Sequence, residues 1–259
     1  RLKVCERRSL EGIPFMQQQH VLILGGGFAG LACAKALNDE RFRITLVDRW
    51  NHHLFQPLLY QVATAGLTMA EVAQPLRSIL AAHKNVTTLM DDVTRIDLDA
   101  KQVLLREHVL SYDYLVIGLG AKTGYFGHPE WAAHTIGLKS LNDAMSIRKE
   151  VLLAFERAES ADNPAETAKQ LTMVVVGGGP TGVEMAGSLA ELSQVVLKED
   201  FRRIDPSLAR VHLVEAGARL LPSFPAELSE YTRLRLEKMG VTVHLNSPVR
   251  EVGLSLIHI

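Results

Sequence analysis

Apolar positions in this chain gather into short unbroken runs that end at glycine, and the pattern after each glycine cluster changes to helical spacing. The first run, His20-Val21-Leu22-Ile23-Leu24, has the signature of a strand buried on both faces of a parallel sheet. It leads into Gly25-Gly26-Gly27-Phe28-Ala29-Gly30, and residues 28–38 then place Ala and Leu at helical spacing up to Asn38-Asp39. The next strand, 43–48, is apolar at Ile44, Leu46 and Val47, which completes a strand–helix–strand unit of about 30 residues. The pattern returns at Leu171-Thr172-Met173-Val174-Val175-Val176, followed by Gly177-Gly178-Gly179-Pro180-Thr181-Gly182, a helix over 181–198 and a strand over 210–215. An amphipathic helix over 226–239, closed by Gly240, and a strand over 241–245 follow.

Between the two units the pattern is more varied. Residues 54–82 are mostly apolar and uncharged, broken by Pro57, Gly66 and Pro75. Strands alternate with turns from Val86 to Leu110, with a hairpin turn at Asp99-Ala100-Lys101, and 114–119 reads as another buried strand. Residues 121–138 read as a connection, 141–158 as a helix, and 159–170 as a polar, solvent-exposed stretch. The expected fold is α/β, with two Rossmann-like dinucleotide-binding domains in three layers.

Each turn has the spacing Gly-x-Gly-x-x-Gly: Gly25, Gly27 and Gly30, then Gly177, Gly179 and Gly182. The first glycine permits the tight turn, the second lets a pyrophosphate approach the backbone, and the third lets helix and strand pack closely. The helix that follows offers free N–H groups to phosphate. A tight strand-to-helix turn without a ligand is the alternative for either turn taken alone. Two in register, each with an acidic partner, point to two dinucleotides and to hydride passage between them. Asp48 ends the second strand, 18 residues after Gly30, and suits the adenosine ribose. Glu215 ends the corresponding strand 33 residues after Gly182, beyond the usual gap of about 20, so spacing leaves its role open. The extra length is a charged insertion, 193–207. If Glu215 faces the ribose it repels a 2′-phosphate and favours NADH over NADPH, with Arg219 near enough in sequence to weaken the preference.

Glu184 stands between two readings. Its carboxylate suits proton transfer near a nicotinamide and flavin, and Thr181-Gly182-Val183-Glu184 equally fits a helix capping box. The stretch Phe55 to Leu67 is too apolar for an exposed loop. It suits either a core segment or the wall of a ring-binding pocket, with Gln56, Tyr60, Gln61 or Thr64 as polar handles.

Composition removes several other classes of function. Lys and Arg total 28 against 29 Asp and Glu, which leaves no basic field for nucleic acid. Cys5 and Cys33 form no CxxC pair, so dithiol chemistry and a zinc site lack support, and Cys33 reads as a small buried thiol in the first helix. The ten histidines show no ligand pattern, and His20, His52 and His53 read as surface or packing residues. No run reaches the ~18 apolar residues of a membrane span, and residues 1–15 lack the apolar core of a signal peptide. Residues 1–15 show no periodicity ahead of Met16 and are expected to be non-native upstream sequence. The final Leu254-Ser255-Leu256-Ile257-His258-Ile259 can be encoded by a transposon end sequence used in DNA library preparation, so 254–259 is expected to be an adapter tail.

The Gly25–Gly30 turn, the run from Asp48-Arg49-Trp50-Asn51-His52-His53 through Leu54-Phe55-Gln56-Pro57-Leu58-Leu59-Tyr60-Gln61-Val62-Ala63-Thr64, and Gly177 to Glu184 resemble type II NADH dehydrogenases. The resemblance extends over about Met16 to Val252, and Phe55–Ala63 and Asp200–Pro206 are its most family-specific parts. It implies an FAD-binding domain over 16–135 and an NADH-binding domain over 136–253. FAD would be held by Gly25, Gly27, Phe28, Ala29, Gly30, Asp48, Arg49 and Gln56, with backbone near Val93 and Gly120. NADH would be held by Gly177, Gly179, Pro180, Thr181, Gly182 and Glu215, with Glu184 catalytic. The implied activity is hydride transfer from NADH to FAD, then two-electron transfer to a membrane quinone without proton pumping. The implied setting is peripheral, on the cytoplasmic face of the inner membrane, attached through a region after residue 259, and a homodimer is compatible with it. Related flavoproteins often have Ala-Thr-Gly where this chain has Gly118-Leu119-Gly120, which removes a side-chain role at 118 or 119. The rival readings are a reductase with another acceptor (ferredoxin, a small redox protein or oxygen), a sulfide-oxidising relative, and a non-catalytic dinucleotide sensor. The sulfide reading is disfavoured because no cysteine falls near the expected flavin face.

Overall fold

The computed structural model describes residues 18–253 and 256–259. The expected upstream segment, with Cys5, lies outside the described residues, as do Leu254 and Ser255 of the expected tail. The chain divides into two compact units. One runs through His53 and resumes over Gln74–Gly120; the other takes Leu54–Ala73 and Ala121–Ile259.

The first unit is built on β1 (Gln19–Leu24), helix α1 (Phe28–Ala36), β2 (Phe42–Asp48), β3 (Val86–Met90), β4 (Val93–Asp97), β5 (Gln102–Leu105), β6 (Val109–Ser111) and β7 (Tyr114–Ile117). Its parallel sheet has the order β3-β2-β1-β7. The central strand β1 is apolar at every position from Val21 to Leu24 because both its faces are covered. Val21, Ile23, Ile44 and Leu46 pack with Leu31 and Ala34 of α1 on one face. Leu22, Leu24 and Val47 pack on Val103 and Leu105 of the antiparallel sheet β4-β5-β6 on the other. The turn between β4 and β5 lies where Asp99-Ala100-Lys101 predicts it, with Lys101 at φ 48°. β3 departs from the expected run of hairpins and extends the parallel sheet, Ile44 opposite Val86 through Asp48 opposite Met90. Its half-exposed alternation reads as a hairpin strand because it is an edge strand.

In the second unit, β8 (Thr172–Val176), β9 (Arg210–Val214) and β10 (Val241–His244) form a parallel sheet in that order. Helices α2 (Leu141–Ser160), α3 (Pro164–Gln170), α4 (Pro180–Glu191) and α5 (Ala226–Lys238) accompany it. Helix α3 forms where the pattern predicts only a polar exposed stretch. It is exposed, and its signals are Asn163, whose side chain accepts from the Glu166 N–H at 2.9 Å, and Pro164 in its first turn. The helix expected over 181–198 ends at Glu191 and passes into a wider π-type turn over Leu192–Val196. Gly240, at φ 86°, follows α5 as predicted. Glu251–Gly253 pairs antiparallel with Leu256–His258.

The stretch 55–67 resolves toward core. Leu59, Val62 and Ala63 are buried with Ala144 of α2, Met185 and Ala186 of α4, and Leu213 of β9. Its polar groups bond locally: the Thr64 hydroxyl donates to the Tyr60 carbonyl, and Gln61 donates to the Tyr60 hydroxyl. Cys33 is half-buried rather than fully buried, packed at the margin of the core around α1.

His20 proves to be a packing residue that titrates. Its Nδ1 lies 2.7 Å from the Ser111 carbonyl, which can only accept, so Nδ1 carries the proton. Its Nε2 lies 2.8 Å from the Thr45 hydroxyl, which donates to the neutral ring. Burial, with the Arg43 charge nearby, pushes its pKa below the ordinary 6.5. The unfolded chain therefore takes up this proton at a higher pH than the folded one, so His20 favours folding above about 6.5 and opposes it as pH falls below. Thermal melts between about pH 8 and 5 should show a smaller loss of Tm in His20→Gln than in the wild type. Equal slopes would remove His20 from the acid sensitivity.

Candidate functional site

The two glycine turns are built on the same plan. β1 pairs Leu24 with Val47 and β8 pairs Val176 with Val214, so each turn leaves its sheet at an equivalent register. The first glycine of each has a positive φ, 102° at Gly25 and 107° at Gly177, which side-chain-bearing residues avoid. Gly25 donates to the Val47 carbonyl at 2.7 Å, and Gly177 to the Val214 carbonyl at 2.8 Å. A Cβ on Gly30 would collide with the Gly25 carbonyl oxygen, and one on Gly182 with that of Gly177. A Cβ on Gly27 or Gly179 would meet nothing within 4 Å. The third glycine closes each turn on itself, and the second faces open space that a phosphate can occupy.

The acidic partners occupy equivalent places. Asp48 directly follows Val47, and its two oxygens accept from Gly26 N–H at 2.6 Å and Trp50 N–H at 2.7 Å. Glu215 directly follows Val214, and its two oxygens accept from Gly178 N–H and Gly217 N–H, both at 2.6 Å. The long gap before Glu215 loses its meaning because register, not spacing, places the carboxylate. The insertion is anchored elsewhere: Glu159 accepts from the N–H groups of Arg202, Arg203 and Ile204. Each carboxylate oxygen retains a lone-pair direction for a hydroxyl donor. Arg219 donates to the Pro222 carbonyl at 2.7 Å.

Helices α1 and α4 begin at Gly27 and Gly179, and neither has a side-chain cap. Helices α2 and α3 are capped by Ser140 and Asn163. The first-turn N–H groups of α1 and α4, like those of α5, have no side-chain cap, and the dipole of α1 and α4 favours an anion at each turn. Phe28, Ala29 and Gly30 form the first turn of α1; Pro180, Thr181 and Gly182 form that of α4.

Glu184 does not form the capping box. Gly179 is the cap residue and Thr181 already lies inside the helix, so the Thr181–Glu184 pair has the wrong phase. The Glu184 carboxylate has no hydrogen bond or ion pair among the described residues, lies on the exposed face of α4, and is partly desolvated, which raises its pKa above the ordinary 4.5. Of the other expected site residues, Arg49 lies 3.8 Å from Asp92, whose second oxygen takes Arg106 at 2.5 Å. Val93 opens β4, and Gly120, at φ 73°, ends the first unit. Gln56 belongs to the second unit, where it donates to the Lys139 carbonyl at 3.2 Å.

The double-turn architecture has counterparts among known proteins. Residues 19–253 match the family model described as pyridine nucleotide-disulphide oxidoreductase. The chain belongs to that family. Over 240 residues it is 43% identical to the type II NADH:quinone oxidoreductase Ndh of Mycobacterium tuberculosis (strain ATCC 25618 / H37Rv), covering 91% of this chain and 52% of that protein. The type II NADH:quinone oxidoreductase NdhA of the same organism is 44% identical over 239 residues, covering 91% of this chain and 51% of that protein. The structure of NDH2 from Plasmodium falciparum in complex with NADH is 26% identical with a TM-score of 0.86, covering 92% of this chain and 50% of that one. The chain spans about half the length of the curated relatives it matches. The family's fold is the two-turn α/β arrangement described above, as the sequence pattern predicts.

His53, expected as a surface or packing residue, packs beside the first turn. It half-buries its ring edge-on against Phe28, centroids 5.0 Å apart, and its Nδ1 lies 3.0 Å from the Gly26 carbonyl. Its place in the Asp48–Thr64 run is the signal in the sequence that pointed to it.

Proposed function

We propose that the full protein is an FAD-dependent NADH:quinone oxidoreductase. The observation that carries this reading is the pair of equivalent turns, each with an open second glycine, an uncapped helix start and a carboxylate clipped to its central glycine. In the first unit Gly25, Gly27, Phe28, Ala29 and Gly30 cradle the FAD diphosphate, Asp48 holds the adenosine ribose, and Arg49, Val93 and Gly120 complete the site. In the second, Gly177, Gly179, Pro180, Thr181 and Gly182 cradle the NADH diphosphate and Glu215 holds its ribose. The bound flavin supplies a two-electron acceptor and donor between nicotinamide and quinone. The chain's own contribution is to bind and orient both dinucleotides, because stacked ring geometry is the main demand of hydride transfer. Glu184, unpaired and with a raised pKa, holds a proton at its carboxyl oxygen to higher pH than an ordinary carboxylate, which suits it to proton transfer. Names of relatives at 43% and 44% identity support NADH as donor and quinone as acceptor. No helix among the described residues is long and apolar enough to cross a membrane, and peripheral attachment at the cytoplasmic face of the inner membrane is part of the proposal, as is a homodimer.

The test is NADH oxidation by the full-length, flavin-loaded protein with and without a soluble quinone. Quinone-dependent turnover is expected. Oxidation that proceeds only with ferredoxin or oxygen would replace the acceptor, and binding without oxidation would leave a sensor. In the same assay Glu184→Gln should lower turnover at least about tenfold with Tm unchanged. Lost stability with turnover preserved would remove the proton-transfer role.

A further inference from the structure

We propose that His53 is a positioning residue that aims a diphosphate-binding N–H of the first glycine turn; the proposal rests on the reading of that turn as the FAD site. Gly26 is held at both ends of its backbone. Its N–H donates to Asp48 Oδ2 at 2.6 Å, and its carbonyl accepts from His53 Nδ1 at 3.0 Å. A carbonyl oxygen has no proton to give, so Nδ1 carries it. The Gly26 carbonyl and the Gly27 N–H belong to one planar trans peptide and point in opposite directions. Holding the carbonyl toward His53 therefore fixes the direction of the Gly27 N–H, and the space beside Gly27 is open.

The second turn carries a parallel restraint. Gly178 N–H donates to Glu215 Oε2 at 2.6 Å, and the Gly178 carbonyl accepts from the Leu221 N–H at 2.8 Å. Both central glycines are held at both backbone ends, the N–H by a carboxylate and the carbonyl by a nitrogen donor. In the second turn that donor is backbone, which survives most substitutions at 221. In the first turn it is a side chain, so a single substitution removes it. The ring of His53 is held for the task by its edge-on contact with Phe28, interplanar angle 87°.

Two substitutions separate the hydrogen bond from the ring. His53→Phe keeps an aromatic ring beside Phe28 and removes the donor. His53→Asn removes the ring and keeps an N–H donor at the position of Nδ1. Apoprotein of the full-length chain is titrated with FAD by flavin fluorescence and, separately, with NADH. His53→Phe should raise the FAD Kd about tenfold, while His53→Asn stays within about twofold of wild type. Both should leave NADH affinity within about twofold, since the second turn has its own donor. The inference is overturned if His53→Phe binds FAD like the wild type, if His53→Asn is as weak as His53→Phe, or if NADH affinity falls in parallel with FAD affinity. A wild-type protein that binds no FAD would overturn the cofactor assignment of the first turn itself, a failure visible before any variant is compared.

Discussion

Gly30→Ala and Gly182→Ala should each collapse one turn, while Gly27→Ala and Gly179→Ala should leave the fold intact and weaken nucleotide binding. The added methyl of Gly30→Ala would occupy the place of the Gly25 carbonyl oxygen, and that of Gly182→Ala the place of the Gly177 oxygen. Neither obstacle can move aside cheaply, because both are backbone atoms bonded into β-sheet register: Gly25 N–H to Val47 and Gly177 N–H to Val214. Overpacking against backbone costs about 3 kcal/mol or more, a large part of a domain's stability. The second glycines differ in kind. Gly27 has φ −72° and ψ −164°, and Gly179 has φ −76° and ψ −179°, conformations an alanine adopts freely. With no atom within 4 Å of the new methyl, the apoprotein Tm should change little, within about 0.5 kcal/mol of stability. The methyl would instead stand where a phosphate approaches, and affinity for FAD (Gly27→Ala) or NADH (Gly179→Ala) should fall more than about tenfold. Thermal melts and nucleotide titrations of the four variants read both effects. Unchanged FAD and NADH affinity in Gly27→Ala and Gly179→Ala would sink the diphosphate reading of the turns.

Glu215→Ala should lose stability and coenzyme selection together. Its carboxylate is the sole side-chain acceptor shown for the Gly178 and Gly217 N–H groups, at 2.6 Å each. Charge-assisted bonds of this kind contribute about 1.5–3 kcal/mol apiece, and half-burial reduces the total, so a loss of about 2 kcal/mol is expected on denaturant melts. Glu215→Gln keeps one oxygen acceptor and should lose less. The selection effect is electrostatic. A carboxylate at the ribose end repels a 2′-phosphate, so Glu215→Gln should raise NADPH affinity relative to NADH by about tenfold. Arg219, near Glu215 in sequence, has one guanidinium nitrogen tied to the Pro222 carbonyl. A wild-type preference for NADPH, or an unchanged preference in Glu215→Gln, would remove Glu215 from coenzyme recognition.

Much of this was legible in the chain. The apolar runs located β1, β2, β8 and β9, and the glycine spacing located both turns, because a buried or half-buried strand and a turn that bars a Cβ leave few residues to choose from; β1 is buried from His20 to Leu24, whereas β8 leaves Val174 and Val176 exposed. Helix α3 was legible in principle: Asn163-Pro164 with Glu166 states a helix start, and its polarity obscured it. Glu184 was ambiguous for a different reason. Its distance from Thr181 fits a capping box, but a capping box also needs Thr181 outside the helix, and only the observed start at Gly179 decides that.

What the sequence alone determined is local: which segments are strands, where the backbone must turn without a side chain, and which acids end the second strand of each unit. What the tertiary structure decided is pairing. Glu215 equals Asp48 because β8 and β9 align Val176 with Val214, whatever length of chain loops out between α4 and β9. His53 reaches Gly26 across 27 residues because the chain returns beside the turn after β2. Side-chain periodicity reports which face of an element is buried, and it is silent on which backbone atom another segment will bring against it.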